Sequence, residues 1–388
     1  MQDLVTAFES QFADQQFSAA SATLQQLLSD FPDDPQLQIL KGRLYDATGR
    51  TDEAEAIFRR LLKAQLPAKL ITQARQGLLA IEMAEVNARQ ARIDELLKLA
   101  GGSSFAYLAL LPVLPEQKDW AIAKIARVFR TDPYTARFKI PNRYPKIICL
   151  GTLAEMQAYG EELQSYGLGV IWLSIEAIAQ IPVYQVEYFG EPQINPKTGQ
   201  KVRAIAGIDE IIFTPDDVIA KVEGILPTFG EIVVVNAKHK LARKEQILDR
   251  VQICDLHLRN YSVNGKIGDR GILRFHDNQY RFELGLQLPV LRSLQHIAPT
   301  VKEHWTELST WLTRILPNAK TAKDFQNFAE MSIVYPEFLK AIEATHINLE
   351  RPKPSLWDNA FQLYSSTVFY QPSLATQITA QSADVKPK

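Results

Sequence analysis

The chain is poor in the residues and patterns that most chemistry requires. Of its 388 residues only two are cysteines, Cys149 and Cys254, each inside an apolar segment (KIICLG and VQICDLHL) and far apart. Neither a disulfide framework nor a CxxC metal spacing can be built from them, so a reducing, cytoplasmic compartment is expected. The six histidines, His239, His257, His276, His296, His304 and His346, never fall in HExxH or HxH spacing, and no metal site is expected. The glycine patterns that cradle phosphates, GxGxxG and GxxxxGK[ST], are missing, and no cofactor is expected. The longest apolar run, FAYLALLPVL at 105–114, is too short to span a bilayer and is broken by Pro112. MQDLVTAFES has no basic segment ahead of an apolar one and does not read as a secretory signal. Charge of one sign is also lacking: 43 Lys and Arg stand against 44 Asp and Glu, a formal net charge of -1. Such a balance provides no global field for nucleic acid or anionic lipid. Nucleic acid is therefore not expected as a partner, and any electrostatic binding, including a peripheral membrane contact, must be local.

What is present is the composition of a soluble globular protein, 46% hydrophobic and 22% charged, with length for two or three domains. The first third is repetitive. Ala20 recurs as Ala54, Leu24 as Phe58 and Leu27 as Leu61, at a period of about 34 residues, with Pro32 and Pro67 closing each unit. In the second unit Gly42 and Ala54 place small side chains where two antiparallel helices cross, and Tyr45 and Phe58 fill the space between them. Thr48, Gly49 and Arg50 form the interhelix turn, Gly49 being free to take the positive φ that ends a helix, and Thr51 or Asp52 is placed to cap the next.

On these residues LKGRLYDATGRTDEAEAIFRRLL resembles a tetratricopeptide-repeat unit, and DLVTAFESQFADQQFSAASATLQQLLSDFP is similar, with Phe8 in place of the usual small residue. The helical pattern continues through KLITQARQGLLAIEMAEV and ARIDELLKLA without signature residues, as degenerate or capping helices. The resemblance implies a concave groove lined by the first helix of each unit, and hence a protein partner held as a peptide or helix. In this chain that groove would present Val5, Glu9 and Phe12 from the first unit and Gln36, Ile39, Arg43 and Asp46 from the second. Repeats that clamp a C-terminal carboxylate present Lys, Arg and Asn from several units. Only Arg43 stands in such a place, which argues against a clamp.

From Asp132 the helical period gives way to apolar bursts separated by Gly and Pro. KIICL, TLAEMQAYGEELQSYG and GVIWLS read as strand, helix closed by Gly167, and strand, a βαβ unit whose helix starts with the Thr152 and Glu155 capping box. VYQVEYFGE, KVRAI, EIIFT and EIVVV read as strands, TPDDVIAKVEGIL as a helix capped by Thr214 and started by Pro215, and GILRFHDNQYRFEL as a hairpin turning at Asp277 and Asn278. The expected architecture is α+β and multidomain: tetratricopeptide-like helical hairpins with capping helices at 1–130, an α/β module with a mixed sheet at 131–290, C-terminal helices at 291–371 and a disordered tail at 372–388. The C-terminal helices rest on the stripe Val301, Trp305, Leu308, Leu312 and Ile315 and on the aromatic-rich PSLWDNAFQLYSSTVFYQ.

Two features of the module invite chemistry. NAKHKLARKEQILDR gathers Lys238, Lys240, Arg243 and Lys244 as a candidate anion-binding run, and with Gly151 it offers a small-ligand or nucleotide sensor as the alternative function. If that run is helical, its cations oppose the dipole of the first turn, and a solvated face is the commoner explanation. Cys254 with His257 offers a thiol and a base, but on a strand they point to opposite faces, and no catalytic residue is assigned. DPYTARFKIPNR, YGEELQSYGLGVIWLS, VQICDLHL and LWDNAFQLYSSTVFY resemble a group of cyanobacterial tetratricopeptide-repeat proteins. That resemblance implies a cytoplasmic or peripheral thylakoid protein and no enzyme class. The reading as a whole is a non-enzymatic interaction scaffold or assembly factor.

Overall fold

The computed structural model describes residues 2–195, 199–235, 241–288, 299–347, 349 and 354–383. The chain divides into two units, Met1–Lys98 and Leu99–Lys388.

The first unit is helical: α1 (Gln2–Ala13), α2 (Phe17–Asp30), α3 (Pro35–Ala47), α4 (Thr51–Lys63) and α5 (Ala68–Leu97). Its punctuation follows local chemistry. Asp34 caps α3 by accepting from the amides of Gln36 and Leu37, with Pro35 at the first helical position. Gly49 ends α3 at φ +79, and the Arg50 amide then donates to the Tyr45 carbonyl at 2.7 Å. Neither Thr51 nor Asp52 caps α4; the cap position is Arg50, without a side-chain bond. Phe58 explains the small residues around it. Its ring would lie 2.6 Å from a Cβ at Gly42 and 2.5 Å from one at Gly77, so one aromatic is seated between α3 and α5 by two glycines. Gly77 on α5 thus plays the same packing part as Gly42 on α3. The two expected capping segments are also one helix of 30 residues.

The second unit is built on three sheets. The first comprises β1 (Phe105–Leu110), β2 (Lys146–Thr152) and β3 (Val170–Ser174), with α6 (Lys118–Val128) and α7 (Pro133–Arg137) between β1 and β2. The helix α8 (Leu153–Ser165) joins β2 to β3, and its capping box is formed as expected. β1 lies between β2 and β3 and runs antiparallel to both, pairing Ala106 with Gly151 on one side and with Ser174 on the other. The expected βαβ unit therefore exists as a split pair. Its centre strand comes from FAYLALLPVL, which the sequence had placed in the first domain, and the first unit ends near residue 98 instead of 130. A strand that is buried on both faces needs a sheet around it, and this one finds it on the C-terminal side.

After α9 (Ile175–Ala179) come β4 (Val183–Gln185), β5 (Tyr188–Phe189), β6 (Gln193–Asn195), β7 (Gly199–Ala206), β8 (Asp209–Phe213), β9 (Val218–Val235), β10 (Leu241–Leu258), β11 (Tyr261–Val263), β12 (Lys266–Gly268) and β13 (Gly271–His276). Then follow α10 (Val301–Ile315), β14 (Lys320–Ala322), α11 (Phe325–Ser332), α12 (Pro336–Lys340) and α13 (Leu356–Ala383). The second sheet has the order β14-β9-β10-β13-β4, mixed in direction, and the third runs β12-β11-β8-β7-β5 with β6 on β7. Several expectations change here. TPDDVIAKVEGIL keeps its Thr214 cap but makes only one 3-10 turn, Pro215–Asp217, before its β-branched residues enter β9. The segment from Leu241 is strand β10, not helix, because it pairs along β9 through a long antiparallel ladder. β13 is not half of a hairpin: its neighbours are β10 and β4, and residues 277–288 form no strand.

α13 is the keystone of this unit. With α11 and α12 it lies between the first and second sheets in one apolar core that holds Tyr107, Ile171, Val222, Ile253, Phe325, Phe338 and Phe361. The other face of the second sheet packs on the third sheet and on α10 through Leu256, Phe275, Trp305 and Trp311. The C-terminal helices are therefore part of the same unit as the module. α13 continues through Ala383, across most of the stretch expected to be disordered, and 384–388 lie outside the described residues.

Candidate functional site

The face shared by α1 and α3 brings together three of the residues picked from the sequence. Arg43 Nη1 donates to Glu9 Oε1 at 2.8 Å, and the two side chains keep 40% and 44% of their surface. The same guanidinium lies over the Phe12 ring at 4.9 Å. Glu9 and Arg43 are separated by one repeat length and so occupy equivalent positions of successive units. Val5 is half-buried at the edge of the underlying core, and Gln36 is exposed at the start of α3. Ile39 is not part of this face. At 3% exposure it belongs to the core with Phe58, Ala74 and Ile81, because α5 packs against α3 and covers it.

Asp46 lies further along α3. Burial and the nearby charge of Glu85 on α5 raise its pKa above the ordinary carboxylate value. Glu85 had no signal in the sequence: only the docking of α5 beside α3 brings the two carboxylates near each other. The face thus offers an aromatic, an arginine whose charge is already met by Glu9, and a concentration of negative charge. A free carboxylate would have to displace Glu9 from Arg43.

In the second unit the sites proposed from the sequence come apart. Cys254 is buried in the core facing α10, while His257 is buried on the opposite face of β10 against Phe369 and Ser365. Burial raises the thiol of Cys254 well above its ordinary value, and that of Cys149 to about 12. Lys238 and Lys240 lie outside the described residues; Arg243 and Lys244 lie on β10. Beside Gly151 a Cβ would meet Glu155 Oε2 at 2.5 Å, and that carboxylate already accepts the Thr152 amide and hydroxyl at the start of α8. An anion there would have to displace a negative charge.

Under α13 lies a buried polar network. Arg274 grips Asp255 with Nε at 2.9 Å and Nη2 at 2.7 Å, both residues being 0% exposed, and its Nη1 donates to Gln362 Oε1 and to the Thr345 carbonyl. Ser365 Oγ donates to Asp255 Oδ2 at 2.5 Å. Its single proton being spent there, His257 must donate from Nε2 to Ser365 Oγ at 2.9 Å, which leaves the buried Nδ1 lone pair without a partner. Burial, only partly opposed by Asp255, lowers the His257 pKa to about 4. In a hydrolytic triad the histidine bridges serine and acid; here the serine bridges, and no residue of the set reaches solvent. The network locks α13 onto β10 and β13.

Two cavities border this core. One of about 340 Å³ is lined by Glu223, Trp305, Ser309, Lys323 and Gln326. Its charges are internally matched: burial pushes the Glu223 carboxyl up, but Lys221 and Lys323, each at 3.0 Å, outweigh it. The other, about 610 Å³, has Leu111, Pro112 and Ile219 on its walls with Arg259 and Lys320. Lys320 binds Gln371 Oε1 at 2.7 Å, and burial lowers its pKa with no carboxylate to offset it.

Residues 11–75 match the family model described as tetratricopeptide repeat, a module of protein interaction. No curated protein and no solved structure matches the chain. Among the described residues no helix is long and apolar enough to cross a membrane.

Proposed function

We propose that the chain is a non-enzymatic scaffold or assembly factor whose first unit holds a partner peptide or helix along α1 and α3. The observation that supports it is the Glu9, Phe12, Arg43 cluster: Glu9 and Arg43, one repeat apart, meet beside Phe12, which also packs on Phe8 and Phe17, and the three form one partly exposed surface. The partner segment is apolar where it meets Phe12 and carries Lys or Arg toward Asp46, whose pKa is raised by burial and then by the charge of Glu85. The cellular setting that goes with this reading is the cytoplasm, with peripheral contact at a thylakoid surface. Affinity capture from the native cell with the full chain tests it. Arg43→Glu combined with Asp46→Lys should remove the principal partner, and an unchanged partner list would sink the proposal.

A second reading, regulation by a small anion, rests on the cavity at Arg259 and Lys320, where the lysine is held by an amide and Asp216 on the same lining is the one opposing charge. Thermal-shift screening with carboxylates and nucleotides checks it, since a tight ligand raises the unfolding temperature. Lys320→Ala should erase any such rise.

A further inference from the structure

The near-neutral net charge of the whole chain conceals one local surplus. Between Lys118 and Lys146 stand eight Lys or Arg and two Asp. One of those acids, Asp132, is taken up as the cap of α7, accepting from the Thr135 amide and hydroxyl. Three of the cations make their hydrogen bonds to uncharged groups. Lys118 donates to Asn142 Oδ1 at 2.7 Å, Lys139 to the Ile148 carbonyl at 2.7 Å and Lys146 to the Phe138 carbonyl, all neutral acceptors. Burial, followed by the charge of Lys139, lowers the Lys146 pKa, a sign of cations crowded together. Arg137 and Arg143 are exposed, and neither has a carboxylate partner among the described residues.

Amid these cations two aromatics face solvent. Tyr134 on α7 and Phe138 just after it are 72% and 59% exposed, with ring centroids 5.0 Å apart and planes at 83°. Large apolar rings at such exposure cost free energy in water unless something covers them. The contacts of Lys146 with Phe138, and of Lys118 with Asn142 next to Arg143, tie cations and rings into one surface.

We infer that this surface docks on an anionic lipid bilayer, the rings of Tyr134 and Phe138 entering the headgroup layer and Arg137, Arg143 and Lys118 meeting lipid phosphates. Aromatic residues framed by Lys and Arg are suited to that boundary, where an apolar body and a charged rim are satisfied together. A single-stranded nucleic acid is the competing polyanion. It favours a groove that tracks its backbone and ring faces open for stacking. Here the rings stand edge to face, and none of these residues lines either cavity described above. The inference is independent of the α1 and α3 face and fails separately from it, because it is read with vesicles alone.

Flotation of the full chain with phosphatidylglycerol-containing vesicles should show binding that weakens as salt rises, with little binding to pure phosphatidylcholine. Tyr134→Ser with Phe138→Ser, and separately Arg137→Glu with Arg143→Glu, should each weaken it by about tenfold or more at unchanged unfolding temperature. Should either pair disturb folding, Phe138→Trp provides a gain of signal: its emission shifts to the blue on anionic vesicles and not on neutral ones. Equal binding by both double variants, no shift from Phe138→Trp, or variant-sensitive binding to a poly(U) oligonucleotide without vesicle binding would each overturn the inference.

Discussion

Two arginine–carboxylate contacts in this molecule have nearly the same length and opposite settings. Arg43 and Glu9 meet at 2.8 Å on a surface where each keeps two fifths or more of its side chain in water. Arg274 and Asp255 meet at 2.7 Å with no exposure at all, bidentate, and with Nη1 of the arginine directed at Gln362 Oε1 and the Thr345 carbonyl. The first can open for a partner because water replaces whatever it loses. The second cannot, since a lone charge left in that core has nothing to replace its partner. The same chemistry is therefore a solvated, exchangeable contact in one unit and a structural lock in the other.

The sharpest way to break this contrast is to remove one half of each pair. Arg274→Ala strands the Asp255 carboxylate and should cost about 3–5 kcal/mol in chemical denaturation of the second unit. Replacing both partners with apolar residues of similar volume should recover much of that loss; equal loss in the single and double variants would refute the ion-pair account.

A pH series probes the same lock from its neighbour. His257 titrates at about 4 in the fold against 6.5 as the ordinary value, so the unfolded chain takes up the proton first. Its contribution is complete above pH 6.5 and is lost as pH falls toward 4, by roughly 3 kcal/mol over that window. Burial also lowers His276, which adds to the slope in the same direction. His257→Gln should flatten the profile, though at a lower stability overall; a slope unchanged in that variant would assign the effect elsewhere.

Packing in the first unit provides a smaller effect. Gly77→Ala sets a methyl group 2.5 Å from the Phe58 ring and should destabilise the hairpins by roughly 1–3 kcal/mol in thermal unfolding. Smallest of all, Glu9→Gln should change stability by no more than about 1 kcal/mol, because the pair is solvated. A larger loss would mean that the Arg43 contact is structural after all, and the docking role would then need another anchor.

What could be read in advance follows the range of the forces involved. Asp34, Thr152 and Thr300 cap their helices through bonds to residues two or three positions on, and Gly49 and Gly167 end theirs through their own φ. Such signals are complete within a few residues. TPDDVIAKVEGIL and LARKEQILDR misled because the fate of each rests on a partner remote in the chain: residues 218–226 pair with 251–258, and 241–250 pair with 227–235, along a ladder that neither segment contains alone. Ile39 misled for a related reason, since the helix that covers it lies a full repeat away.

The sequence by itself determined the repeat period, the Gly49 turn, the capping box of α8 and the separation of Cys254 from His257 across a strand, because all of these are set by spacing along the backbone. Tertiary structure alone decided that β1 would sit between β2 and β3, that Glu85 would stand near Asp46, and that Asp255, Arg274, His257 and Ser365 would close around one another. Ser365 reaches Asp255 across 110 positions of chain. Burial makes such partners indispensable, and no local pattern records them, because desolvation is a property of the packed core and not of the residue.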